Sequence, residues 1–326
     1  MTEKQNRFIP LISIDQIQTY VEYIEIYESQ FVKDLYESGL PQAIKSSQGH
    51  ISREVMLRLF DKLEKELSSE SMNRMIAHSC RLNVDKILVG KHLEGSVINA
   101  LHSLFEQLKV DSTDTEFMID DYGDHYWVYR KRAHDMQIGC VVTLIIFTYL
   151  IQKLTQSQWT PSIVSTTLTN GQPLSSFFPT HNIDYKHRSV YTGVYVPKSL
   201  VEKTITPFIG EEQQHRIKEL HTFKYSLQAL LKPYLSISMP TINEAAEYAN
   251  MSVRTLQRRL KQENETYSEI LEEVMDEIAC ESLIGSNETI TNIAFNLGYS
   301  NTSHFTRAFK KKFELTPSAF RERYQK

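Results

Sequence analysis

TINEAAEYANMSVRTLQRRLKQE, Thr241 to Glu263, and TITNIAFNLGYSNTSHFTRAFKKKF, Thr289 to Phe313, are one pattern written twice. Thr241-Ile242 matches Thr289-Ile290, Ala246 matches Ala294, and Ser252 matches Ser300. One extra residue in the second turn then shifts the offset by one. Leu256 now matches Phe305, Arg258 matches Arg307, Leu260 matches Phe309, and Lys261 matches Lys310. Each copy reads as a short helix, a tight turn and a second helix, the helix-turn-helix pattern. The small alanine of each first helix lets the second helix cross closely. Gly298 suits a left-handed turn position. Asn250 holds the equivalent place in the first copy, and asparagine tolerates that conformation better than most residues.

The second helix of each copy has two faces. In the first copy Val253, Leu256 and Leu260 point inward, while Arg254, Gln257, Arg258 and Lys261 point out. In the second copy Phe305, Ala308, Phe309 and Phe313 are expected on the core face, and Ser303, Thr306, Arg307 and Lys310 on the other. An exposed helical face of Arg, Gln and Lys meets the needs of major-groove reading: guanidinium and amide groups for base edges, cations for phosphates. A solvated amphipathic helix would explain either copy alone; two copies about 48 residues apart by this alignment, joined by one helix from Tyr267 to Leu283, are far more specific.

Charge placement agrees. The chain of 326 residues is mildly acidic, with formal charge −4, and gives no overall nucleic-acid signal. From residue 240 onward 11 basic residues face 13 acidic ones, yet no Lys or Arg lies between Lys261 and Arg307. Eight acidic residues fall between Glu263 and Glu281, on and just before the joining helix. Local fields steer a polyanion more than net charge does, so this acidic helix is expected to face away from DNA.

These residues carry a family resemblance. "IAFNLGYSNTSHFTRAFKKKFELTPSAFRERY" (Ile293 to Tyr324), with "AAEYANMSVRTLQRRLKQE" upstream, resembles the AraC/XylS family of bacterial transcription regulators. The resemblance implies a seven-helix domain whose two recognition helices enter successive major grooves, about 34 Å apart. By position it implies base contacts from Arg254, Gln257 and Arg258 and from Thr302, Ser303, Thr306 and Arg307, with Lys261, Lys310 and Lys311 completing the DNA-binding set, Lys310 and Lys311 at phosphates. Two departures are visible: Asn250 stands where the first turn usually has glycine, and the joining helix lacks its usual arginine, with Met275 near that place. The first 200 or so residues resemble, through their layout and stretches such as "QGHISREVMLRLFDKL", the effector domain of ornithine- and arginine-responsive regulators of this family. Implied partners are double-stranded DNA, a small-molecule effector, RNA polymerase and a second copy of the chain. The alternative for the N-terminal part is dimerisation or partner docking without a ligand.

Elsewhere the pattern predicts an α+β domain over residues 1–205, a connecting helix and linker over 206–238, and an all-α DNA-binding domain over 239–326. Apolar spacing predicts helices at Gln16–Tyr36, from Ser52 through Leu63, and at Gly95–Leu108. "EFMID" and "HYWVYR" flank "DYGD", so a β-hairpin turning at Gly123 is expected. A buried helix over Ala133–Thr155 follows, then strands at Ser162–Thr167 and Val190–Val196 around a loop with Gly171, Pro173 and Pro179. Glu211 to Leu235 reads as helix again. The apolar run Ile138–Ile151 is too short to span a bilayer, and the charged start MTEKQNRFIPLIS lacks a signal-peptide core; a cytoplasmic protein is expected. Cys80, Cys140 and Cys280 form no C-x-x-C pair and are expected as buried thiols.

Catalytic signatures are missing: there is no phosphate loop, no G-x-S-x-G and no H-E-x-x-H, so no enzyme and no cofactor is expected. Asp120, Asp121, Asp124 and His125 read as a polar turn rather than a metal site. Tyr122, Tyr126, Trp127 and Tyr129 read as core or interface rather than a ligand box. Lys131 and Arg132 fit a solvated hairpin end better than the alternative, a pair of cations for an effector carboxylate.

Overall fold

The structure, a computed structural model, describes residues 8–42, 44–45, 49–89, 91, 93–108, 113, 115–131, 137–168, 176–178, 183–205, 222–235 and 239–325. In chain order the elements are β1 (Leu11–Ser13), α1 (Ile14–Tyr27), a 3-10 turn (Ser29–Phe31), α2 (Val32–Glu37), β2 (His50–Ser52), α3 (Arg53–Glu66), α4 (Ser69–Leu88) and α5 (Val97–Leu108). A hairpin follows, β3 (Glu116–Tyr122) and β4 (His125–Lys131), then α6 (Gln137–Thr155), β5 (Ile163–Ser165), β6 (Asp184–Lys186), β7 (Thr192–Pro197) and α7 (Lys198–Val201). Among the described residues the elements that follow are helices: α8 (Phe223–Leu231), α9 (Ile242–Tyr248), α10 (Val253–Gln262), α11 (Tyr267–Gly285), α12 (Ile290–Asn296), α13 (Thr302–Phe313) and α14 (Pro317–Tyr324). The fold is α+β followed by an all-α region with two helix-turn-helix motifs.

The residues gather into two compact units. One comprises Met1–Ile14, Leu35–Leu57 and Lys218–Lys326; the other comprises Asp15–Asp34 and Arg58–Ile217. These units do not follow a single cut near residue 205. In the first unit β1 pairs antiparallel with β2, Ile12 opposite Ile51, and Ile9 and Leu11 bury in the same cluster as Phe223, Leu227 and Leu231 of α8 and Leu256 and Phe305 of the helical repeats. The Ile9 N–H donates to Ser226 Oγ at 3.1 Å, and the Tyr234 hydroxyl donates to the Gly39 carbonyl at 2.9 Å. At three residues β1, β2 and β6 are too short to show an alternation, whereas β5, of the same length, lies inside the longer stretch Ser162–Thr167 that reads as strand.

The second unit holds a five-stranded sheet in the order β3-β4-β7-β5-β6. The hairpin turns at Gly123, whose φ is +64°. Val128, Val164, Val194 and Val196 bury one face, the side on which α6 packs against β7. Phe105, Phe117 and Phe147 meet with centroids 5.3 to 6.0 Å apart and tie α5, β3 and α6 together. The other face carries a ring ladder. Trp127 stacks on Tyr129 at 3.9 Å and on Tyr195 at 5.9 Å, and Tyr129 stacks on Tyr191 at 5.3 Å. Gly193 makes this possible, because a Cβ there would stand 2.3 Å from the Val128 carbonyl and 2.5 Å from the Tyr129 Cβ.

Several expectations change. The helix expected over Gln16–Tyr36 breaks at Glu28, whose φ of −135° leaves the helical region before the 3-10 turn. Residues 133–136 and the loop with Gly171, Pro173 and Pro179 lie outside the described residues, as does the 211–221 part of the helix expected up to Leu235. The apolar run extends past Ile151: the window Ile138–Thr155 is long and apolar enough to cross a membrane by length and composition, and 56% of it is buried inside the protein. Cys80 and Cys140 are buried, but Cys280 is only partly so.

The expected polar turn resolves into specific pairs. Tyr129 donates to Asp120 at 3.0 Å, Lys198 pairs with Asp121 at 2.6 Å, and Lys131 pairs with Glu116 at 3.2 Å. Arg132 lies outside the described residues. Among the described residues no three His, Cys, Asp or Glu converge to hold a metal ion.

Candidate nucleic-acid interface

The sequence repeat is a repeat of geometry. Thr241 caps α9 and Thr289 caps α12, each hydroxyl accepting from the backbone three residues on. In the first copy Asn250 N–H donates to Glu247 and Met251 N–H to Ala246; in the second, Gly298 donates to Phe295 and Tyr299 to Ala294. Asn250 (φ 50°) and Gly298 (φ 78°) both adopt the left-handed conformation that closes such a helix end. The second helices are capped by Ser252 and by Asn301. That one-residue offset is the extra residue seen in the alignment. Ala246 and Ala294 are buried, as close crossing of the helices requires.

Each second helix presents a polar face. On α10, Arg254, Gln257, Arg258 and Lys261 are exposed, while Leu256 and Leu260 are buried. On α13, Ser303, Arg307, Lys310 and Lys311 are exposed, Thr302 and Thr306 are half-buried, and Phe305 and Phe309 are buried. Thr302 lies 3.3 Å from Thr291 of α12, oxygen to oxygen, which joins the two helices of the second copy. Ala308 is exposed, contrary to the expected core position. Phe305, Phe309 and Phe313 define a stripe at steps of four residues, and Ala308 falls about 100° from its centre at 100° per residue.

Not every cation on these helices is presented. The Arg259 guanidinium lies 5.2 Å over the Phe223 ring. Lys312 pairs with Asp276 of α11 at 3.3 Å, which ties the end of α13 to the joining helix. Burial pushes the Asp276 carboxyl up, against the pull of Lys312.

Three of the acidic residues of α11, Glu273, Glu277 and Glu281, and Glu265 just before it meet partners on α8 and its C-terminal cap Lys232. Lys224 binds Glu265 and Glu273 at 2.7 and 2.9 Å, Gln228 donates to Glu273 at 2.6 Å, and Lys232 binds Glu277 and Glu281 at 3.3 and 2.7 Å. Desolvation works against the charge on Lys224, but the hydrogen bonds to Glu265 and Glu273 outweigh it and raise its pKa. Sequence reasoning missed these partners because they come from 41 to 49 residues away.

Two helix-turn-helix motifs on one joining helix, each with a capped, polar, outward second helix, define a double helix-turn-helix domain of the DNA-binding class. Residues 245–323 match the helix-turn-helix domain family model. An uncharacterized HTH-type transcriptional regulator of Mycobacterium tuberculosis is 24% identical over 161 residues, 47% of this chain and 46% of that protein. The ornithine utilization regulator of Pseudomonas aeruginosa is 34% identical over 83 residues, 26% of this chain and 24% of its own. The crystal structure of the transcriptional regulator CdpR from Pseudomonas aeruginosa aligns over 94% of this chain and 98% of its own, at 15% identity and a TM-score of 0.38. The chain spans less than half the length of the first of these relatives. The C-terminal region of this chain is an AraC-type helix-turn-helix domain.

Proposed function

We propose that the chain is a sequence-specific DNA-binding transcriptional regulator, with α10 and α13 as its two recognition helices. The observation that carries this reading is the exposed polar, basic face on the second helix of each motif, α10 with Arg254, Gln257, Arg258 and Lys261 and α13 with Ser303, Arg307, Lys310 and Lys311, the two motifs being joined by α11. A 19-residue helix is about 28 Å long at 1.5 Å per residue. That is commensurate with two adjacent major grooves about 34 Å apart. Arg254, Gln257, Arg258, Ser303, Thr306 and Arg307 are assigned to base edges, with Thr302 beside them; Lys261, Lys310 and Lys311 are assigned to the DNA backbone. Lys224 and Lys232 offset part of the negative charge along α11 and so reduce the repulsion that an acidic joining helix would otherwise bring.

We assign small-molecule sensing and dimerisation to residues 1–205, the linking role to 206–238 and DNA reading to 239–326. Relatives named as activators, such as RhaS of Klebsiella pneumoniae and AggR of Escherichia coli, favour activation through RNA polymerase over repression, and a cytoplasmic location goes with that work. Dimerisation multiplies two modest affinities through effective concentration. Sensing requires a ligand with different affinity for two arrangements of the protein.

The test is in vitro selection of duplexes from a random pool with the full-length chain, followed by binding at several salt concentrations and sedimentation. The reading expects one recovered sequence, protection of two adjacent grooves on one side of the duplex, and affinity that falls steeply with salt. Recovery of no preferred sequence would refute sequence-specific binding, and a monomer at micromolar concentration would refute the dimer.

A further inference from the structure

Glu263 follows the last residue of α10 and is its C-terminal cap. Its carboxylate accepts from the Phe223 and Lys224 backbone N–H groups at 3.2 and 2.8 Å. These are the first two donors of α8; the third, Tyr225 N–H, goes to the Thr222 hydroxyl at 3.3 Å. The start of a helix leaves such donors without intrahelical partners, and a negative charge there is favoured by the helix dipole. One turn back along α10, Arg259 lies over the ring of Phe223, which is 2% exposed. Thus the end of the first recognition helix grips the beginning of α8 at two points, one ionic and one through a ring.

We propose that Glu263 is a positioning residue for DNA reading: with Arg259 it locks the last turn of α10 to α8 and so fixes where Arg258 and Lys261 are presented. This inference rests on the DNA-binding reading above. The geometry is asymmetric between the two repeats. The last turn of α13 is tied to α11 by Lys312 on Asp276, whereas the last turn of α10 is tied to the start of α8 through Glu263 and Arg259. α8 is itself clamped along α11 by Lys224, Gln228 and Lys232. A displacement of the first turn of α8 therefore changes the first reading head relative to the joining helix, while the second keeps its own anchor.

The experiment uses the full-length chain and a duplex recovered by in vitro selection. Glu263→Ala is compared with Arg258→Ala on α10 and Arg307→Ala on α13, singly and in pairs, by binding and hydroxyl-radical footprinting. Loss of a helix-terminus interaction predicts affinity weaker by about three- to ten-fold, with protection reduced over the groove that Arg258→Ala identifies and kept over the one that Arg307→Ala identifies. The Glu263 and Arg258 effects are expected to be less than multiplicative, and the Glu263 and Arg307 effects multiplicative. Glu263→Asp is expected to restore part of the loss. Equal loss over both grooves, multiplicative behaviour with both partners, unchanged affinity, or the tighter binding that simple removal of a negative charge would give, each overturns the positioning role. If the unsubstituted chain recovers no duplex, the DNA-binding reading itself fails, and that outcome is separate from these.

Discussion

Phe309 is where the packing of the second reading head is most exposed to a single change. Its side chain is 2% exposed and meets Phe305, Phe313 and Phe320 with centroids 5.7, 4.4 and 5.3 Å away. Phe309→Ala therefore removes one member of three ring pairs and leaves a cavity between α13 and α14. Truncation of a buried phenylalanine costs about 3–5 kcal/mol. Ring pairs are worth about 0.5–1.5 kcal/mol each beyond area burial, which places this site in the upper part of that range. A whole domain is stable by only about 5–15 kcal/mol, so a loss of this size is a large fraction of the total. Heat should unfold it roughly 8–20 °C earlier, for about 4–5 kcal/mol at about 2–4 °C per kcal/mol in a unit of this size. Calorimetry of the full chain, with amide exchange followed at α13, measures this directly. The control is Phe295→Ala on α12, where the ring is 54% exposed and the change should stay within about 0.5 kcal/mol. A Phe309→Ala cost below about 1 kcal/mol, or one no larger than that of Phe295→Ala, would show that the helix faces are misassigned.

Arg307→Ala should leave the melting temperature unchanged and weaken specific binding by about 1–3 kcal/mol; an unaltered footprint would remove Arg307 from the interface. Lys310→Ala should instead weaken all duplexes alike and reduce the salt slope by about one, measured by titration at several salt concentrations. Gly193→Ala should disrupt the pairing of β4 and β7, because its Cβ would stand 2.3 Å from the Val128 carbonyl; tryptophan fluorescence and near-ultraviolet circular dichroism report the loss at Trp127, and an unchanged spectrum with unchanged stability would refute the ladder. Burial pushes the Cys80 thiol up to about 12 and the Cys280 thiol to about 11. Both stay protonated at pH 8, so thiol reagents should react slowly with the native chain and at once after denaturation; fast native reaction would contradict this burial.

The sequence by itself determined the double helix-turn-helix. Its signals are local: matched residues such as Thr241 with Thr289 and Ala246 with Ala294, left-handed positions at Asn250 and Gly298, and apolar steps such as Phe305 to Phe309 that 3.6-residue periodicity makes readable. It also determined the β3–β4 hairpin, because seven-residue strands around a glycine turn show their alternation. Only the tertiary structure decided the rest. A sequence of cations does not say which ones turn inward; Arg259 faces Phe223 and Lys312 faces Asp276 because partners from other segments stand there. Ala308 lies at the margin of a helical stripe, where periodicity alone does not decide between core and solvent. Three-residue strands carry no period, so the β1–β2 ribbon was invisible. The acidic joining helix needed a partner that local reading could not supply. Pairings such as Glu263 with the start of α8, 39 and 40 residues apart, or Ile9 with Ser226, 217 apart, depend on where the folded chain returns, and no local pattern of residues encodes that return.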